Sequence, residues 1–165
     1  VNAQVHVRPF FLGFPDIGDL GSRARRKREA GPEIGRLHQA RHGAAIRNVW
    51  INGACIGIEL GGNTQTVEDT YINGVSGSGC YGIRVGYYTR SAATVDARIT
   101  GSTIAADQAN PADADLLVQD AGGLFLAQDD FLFAKTGTKL EAGSNQTIEW
   151  STLGSSHYGD TNSVA

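Results

Sequence analysis

Residues 51–62 read INGACIGIELGG, and residues 72–87 read INGVSGSGCYGIRVGY. Both open on Ile-Asn-Gly and both continue to Cys-x-Gly-Ile-x-(Leu/Val)-Gly, with four extra residues in the second copy. A short apolar phrase repeated at such an interval cannot bury itself alone. Its copies must stack on one another, which confines the chain to repeat architectures. Extending the alignment gives one apolar position recurring as Ile51, Ile72, Ile99, Phe131 and Leu153, at intervals of 21, 27, 32 and 22 residues. A second recurs as Ile58, Ile83, Leu116 and Leu140, and a third as Ile46, Val67, Val95, Leu126 and Ile148.

Helical repeats of this length would need long stretches of 3.6-residue spacing, and residues 46–165 contain none. Two-residue alternation fits instead: Val49 and Ile51 face one way with Trp50 between them, and Ile58 and Leu60 flank Glu59. Asn52-Gly53, Asn73-Gly74 and Thr100-Gly101 stand where each repeat bends, since Asn and Gly accept positive φ. Glycine is abundant, 22 of 165 residues against four prolines, which fits frequent tight turns spread along the chain. The longer segment AADQANPADAD, residues 105–115, reads as a loop projecting from one corner.

In-register columns with irregular loops resemble the right-handed parallel β-helix of the pectin lyase-like superfamily, including phage tailspikes. The expected fold is therefore all-β, a right-handed parallel β-helix of about five coils behind an irregular N-terminal segment. Residues 1–45 are read as an arm or cap and residues 46–165 as the β-helix. The rival architecture is an antiparallel sandwich, which also has short strands and Gly turns.

The first 45 residues do not join the repeat. They hold the only charge run, Arg23, Arg25, Arg26, Lys27 and Arg28, read as a solvated helix or arm, and Phe10, Phe11 and Phe14, which could cover the exposed end of a solenoid. His38 and His42 lie four apart without an H-E-x-x-H carboxylate, and no metal site is assigned to them. The chain has no Met, even at position 1, so the expectation is a processed product or a fragment. Cys55 and Cys80 fall in one column and are read as two reduced, stacked thiols, a disulfide between directly stacked residues being geometrically awkward. Asp107, Asp113 and Asp115 lack an ordered calcium-ligand spacing.

Outward positions also form columns under this alignment. Trp50, Tyr71, Arg98 and Asp130 share one, where two aromatic rings could carry a sugar and Arg98 could bind a hydroxyl or carboxylate. Arg47, Glu68, Asp96 and Glu149 share another, placing Glu68 over Asp96. Stacked like charges cost stability, and a carboxylate pair about 5 Å apart suits a retaining glycosidase. Asp129 or Asp130 would be the partner across a groove, one acid acting as proton donor and the other as nucleophile or base. A third column pairs Glu59 with Arg84 and is read as structural.

The net charge of −3 argues against a nucleic-acid partner, and no apolar run approaches a membrane span. No P-loop, Rossmann or G-x-S-x-G motif occurs, and no cofactor is expected. The resemblance implies a polysaccharide partner, of capsule or lipopolysaccharide type, an extracellular or virion-surface location, and a homotrimer. The expected function is a polysaccharide-recognising and -degrading β-helix, a glycoside hydrolase before a lyase. Candidate catalytic residues are Glu68, Asp96, Asp129 and Asp130, and candidate carbohydrate-binding residues are Trp50, Tyr71 and Arg98. The alternative is a non-catalytic receptor-binding or structural fragment.

Overall fold

The computed structural model describes residues 6–7, 43, 45–86, 94–143 and 146–164, with 6–7, 94–95 and 160–164 described by backbone alone. The basic run, Phe10, Phe11, Phe14, His38 and His42 lie outside the described residues. The described residues form fourteen strands: β1 (His6–Val7), β2 (Ala45–Arg47), β3 (Val49–Asn52), β4 (Ile56–Leu60), β5 (Thr66–Glu68), β6 (Tyr71–Val75), β7 (Tyr81–Val85), β8 (Thr94–Thr100), β9 (Thr103–Ala106), β10 (Ala114–Val118), β11 (Ala121–Ala127), β12 (Asp130–Leu140), β13 (Ile148–Leu153) and β14 (Ser156–Val164). Among the described residues there is no helix.

The strands form two sheets whose ladders are parallel, except where β1 pairs antiparallel with the outer edge of β3. Parallel pairing excludes the antiparallel sandwich. One sheet runs β2-β5-β8-β11-β13. In the other, β3-β6-β9 and β4-β7-β10 both end on the long strand β12, which pairs with β9 through residues 130–132 and with β10 through residues 136–140. Strand β14 lies on the far side of β12. From β2 to β9, each strand therefore pairs with the strand three places later in the chain, and β10, β11 and β12 pair with the strand two places later.

The inward columns make the core. Ile51, Ile72, Ile104 and Phe131 stack in register, as do Val67, Ile99 and Leu126, and Ile58, Ile83 and Leu116; all ten are at most 1% exposed. Each such side chain contributes about 1.5–3 kcal/mol by leaving water. Ile99 thus belongs with Val67 rather than Ile72, Val95 stands opposite Gly122, and Leu140 stands opposite Val118. These are corrections to the alignment read from sequence, and they begin at the third repeat.

The cause lies at the corner joining the two sheets. Asn48, Asp69, Gly101, Gln128 and Gly154 all occupy it with positive φ, between 48° and 65°. Their backbone N–H groups donate in series to the next layer's carbonyl: Asn48 to Glu68 (3.1 Å), Asp69 to Thr100 (3.0 Å), Gly101 to Ala127 (2.9 Å) and Gln128 to Leu153 (3.0 Å). Thr100-Gly101 is therefore equivalent to Asn48 and Asp69, whereas Gly53, just after β3, and Gly74, at a bulge within β6, mark a different bend.

Candidate functional site

Trp50 and Tyr71 stand directly opposite each other on β3 and β6. Strand alternation turns both outward, and they remain 58% and 41% exposed, with ring centroids 5.9 Å apart and planes at 73°. Large aromatics left in water, side by side, form a surface to which a flat apolar ligand face can bind. They line a recess of about 370 Å3 with Asn48 and Asp69. Those two side chains leave the left-handed corner positions, where Asn and Asp are the most tolerated residues after Gly. The Asp69 carboxylate leans over Gly101, where an added Cβ would come within 2.8 Å of Oδ1. The outward column continues below Tyr71 as Thr103 and then Asp130, both placed by register and the latter exposed.

Arg98 is not part of this platform. It pairs with Thr66 and Phe125 on the other sheet and lines a second cleft, of about 310 Å3, with Asp96, Phe125, Glu149 and Trp150. Asp96 sits at positive φ in a bulge of β8, beside Gly123 in a matching bulge of β11. Gly122 and Gly123 leave no side chain between Asp96 above and Glu149 below. Val95 and Glu149 stand on either side of Gly122, so Asp96 and Glu149 are about 9–10 Å apart at the backbone, two strand spacings.

The stacked acids expected from sequence are therefore regrouped. Glu68 stands opposite Arg47 and Thr100 and not Asp96. Its carboxylate takes both Nε (2.6 Å) and a terminal NH2 (3.2 Å) of Arg47, a bidentate pair. Asp129 faces inward and is fully buried. Oδ1 accepts from the Ser102 N–H (2.9 Å), Oδ2 accepts from the Ala127 N–H (3.0 Å), and the Asp129 N–H donates to Ser155 Oγ (3.1 Å). Burial pushes its carboxyl up to about 6, against the pull of those hydrogen bonds. With no solvent access, it holds the corner together rather than meeting a substrate. Thr70 and Ser102 continue the same polar ladder, Thr70 N–H donating to Ser102 Oγ (3.2 Å).

Two further expectations change. Cys55 and Cys80 form a disulfide, their Cα atoms 4.6 Å apart. Both immediately precede their strands, β4 and β7, where the Tyr81 N–H donates to the Cys55 carbonyl (2.7 Å), and the spacing of adjacent layers lies within the Cα range a disulfide can span. Glu59 and Arg84 do pair, but their side chains are only 4% and 12% exposed, so the pair is buried rather than a modest surface contact. In the 105–115 loop, Asp113 instead binds Lys135 Nζ (2.8 Å) and the Gly79 N–H (2.8 Å), which hold its carboxyl below the usual range.

His157, half-buried at the end of the Ile51 column, stacks on Phe131 (5.1 Å). Its Nδ1 and Nε2 meet Thr138 Oγ1 (2.6 Å) and Thr152 Oγ1 (3.2 Å), and burial holds its pKa below the usual value. Among the described residues, no group of three or more His, Cys, Asp or Glu is placed to hold a metal, and no helix is long and apolar enough to cross a membrane. Comparison with known proteins finds no matching family model, curated protein or solved structure.

Proposed function

We propose that the chain is a right-handed parallel β-helix of about five coils that binds polysaccharide along its Trp50–Tyr71 face. The winding is supported by the parallel pairing of each strand from β2 to β9 with the strand three later, and parallel crossovers are right-handed in about 98% of cases. The observation that carries the binding reading is the exposed aromatic pair beside the hydrogen-bonding groups of Asn48 and Asp69. A pyranose presents an apolar C–H face to an aromatic ring and hydroxyls around its edge, and this recess offers both complements. The resemblance to tailspike-like solenoids agrees with such a ligand. The disulfide agrees with an extracellular or surface location, since such bonds persist in oxidising compartments.

The test is affinity electrophoresis of the chain and of Trp50→Ala through gels containing individual bacterial and plant polysaccharides. Retardation by at least one glycan, lost in the variant, is expected. Equal retardation of both proteins would remove the platform from the account.

A second reading, hydrolysis, is favoured by one observation: Asp96 and Glu149 line the same cleft, on either side of Gly122 and Gly123. Their backbone separation of about 9–10 Å leaves space for a water between the two carboxyls, as inversion requires. New reducing ends that disappear in both Asp96→Asn and Glu149→Gln would establish it. Cleavage surviving either change would assign it elsewhere.

A further inference from the structure

We infer that the Cys55–Cys80 disulfide is a reductant-sensitive clamp on the Trp50–Tyr71 platform, so that a thiol reductant weakens the hold of the folded chain on glycans. This rests on the carbohydrate-binding reading above and adds its regulation. Trp50 stands over Tyr71 only while β3 keeps its register on β6, and that ladder runs through three pairs, Trp50–Tyr71, Ile51–Ile72 and Asn52–Asn73. A slip of one residue would turn Trp50 into the core and Ile51 out of it. The ladder lapses just beyond Asn52. Residues 53–55 join β3 to β4, whereas residues 76–80 join β6 to β7, so the two layers turn through unequal lengths of chain.

The disulfide closes that gap. It joins the two layers at the residues immediately before β4 and β7, where the ladder resumes with Ile56 opposite Tyr81. Beside it the layers are tied by hydrogen bonds: Asn73 Nδ2 donates to Asn52 Oδ1 (3.3 Å), the Gly53 N–H to the Asn73 carbonyl (2.9 Å) and the Tyr81 N–H to the Cys55 carbonyl (2.7 Å). Hydrogen bonds open and reclose, while the covalent link persists until a thiol breaks it. The two sulfurs differ in access, since Cys55 is exposed and Cys80 is only 6% exposed. Exposed disulfides are the labile, regulatory ones. A dithiol reductant attacks Cys55 through its thiolate. A new sulfur–sulfur bond to Cys55 forms, the bond to Cys80 breaks, and Cys80 leaves as a thiolate that takes up a proton. The second thiolate of the reductant then displaces Cys55, so the dithiol becomes a cyclic disulfide and its two electrons and two protons pass to the cysteines.

The experiment titrates dextran, galactan and cellulose oligomers, with any further glycan that retards the chain in the gels above, into the full chain before and after dithiothreitol treatment. Free thiols are counted in each state. After treatment both cysteines should be free thiols, and glycan affinity should be at least about threefold weaker, as for a platform aligned in about a third of the molecules. Removing the dithiol and reoxidising with oxidised glutathione should restore it. The double variant Cys55→Ser, Cys80→Ser should bind as weakly as the reduced chain and ignore the dithiol. Hydrogen exchange of the reduced chain should quicken at the amides of β3 and β4 and stay slow in β8, β11 and β12, since openings of this kind are local.

Unchanged affinity after reduction, or a disulfide that dithiothreitol leaves closed in the folded chain, would overturn the inference while the loss of binding in Trp50→Ala kept the platform. Exchange quickened equally in every strand would also overturn it, since the bond would then hold the whole fold rather than the platform. Binding to none of the glycans, oxidised or reduced, would overturn the platform and the inference together.

Discussion

Asp129 allows a stability prediction whose sign is unusual for a carboxylate. Burial raises its folded pKa from 3.8 to about 6, so between these values the folded chain holds a proton that the unfolded chain has released. Stability from this group is full below about pH 4 and is lost as pH rises through about 6. At about 1.4 kcal/mol per pH unit, the interval from 3.8 to about 6 amounts to roughly 3 kcal/mol. Asp113 does not interfere, because its lowered pKa places its window below 3.8. His157, with a lowered pKa, contributes in the opposite direction below 6.5, since the unfolded chain binds that proton first. Its contribution is common to wild type and variant and cancels between them.

The perturbation is Asp129→Asn, which removes the titration but keeps one acceptor for Ser102. The assay is urea unfolding from pH 4 to pH 7.5. The free energy of unfolding of the wild type relative to the variant should fall by about 2–3 kcal/mol across that range. The variant should be less stable at pH 4, where the amide NH2 meets the Ala127 N–H. A wild-type-to-variant difference independent of pH would refute the reasoning.

Replacing both Cys55 and Cys80 with Ser opens a loop of sequence separation 25 and should lower stability by about 3–4 kcal/mol in urea, on chain-entropy grounds; reduction of the wild type should give a matching loss. Gly82→Ala would put a Cβ 2.1 Å from Ile104 Cγ2 and 2.6 Å from the Asp115 carbonyl oxygen. It should cost about 1–3 kcal/mol, read as a lowered urea midpoint, and an unchanged midpoint would refute this packing. Glu59→Ala removes the carboxylate that the buried Arg84 guanidinium pairs with and should cost about 3–5 kcal/mol, whereas a loss under 1 kcal/mol would mean the pair is solvated.

Much of the fold could be read from the first two repeats, where the phrases match almost residue for residue. Trp50 over Tyr71, Ile51 over Ile72, Ile58 over Ile83 and Glu59 over Arg84 all stand as aligned. The error entered where the loops change length. Thr100-Gly101 resembles Asn73-Gly74 by residue type, yet Gly101 occupies the corner of Asn48 and Asp69, because any residue tolerant of positive φ can serve there. A better signal was the phrase that follows that corner: a small polar residue, an outward residue and a large inward one. It occurs as Thr70-Tyr71-Ile72, Ser102-Thr103-Ile104 and Asp129-Asp130-Phe131. It would have turned Asp129 inward and separated Asp96 from Glu68. The cleft between Asp96 and Glu149 was less accessible, since it depends on paired bulges, and in β11 the extra residue falls in Gly122-Gly123, which carries no side chain to show the change of phase.

The chain has two tryptophans, and they report on different sites: Trp50 on the open platform, and Trp150, packed against the core and His157, on the cleft. The most direct measurement is the emission spectrum of the single-tryptophan variants Trp150→Phe and Trp50→Phe during titration with a glycan that retards the wild type. The account predicts that emission from Trp50, in Trp150→Phe, shifts to the blue as sugar displaces water, and that emission from Trp150 stays fixed. A shift confined to Trp150, or no shift in Trp150→Phe at saturating glycan, would contradict it.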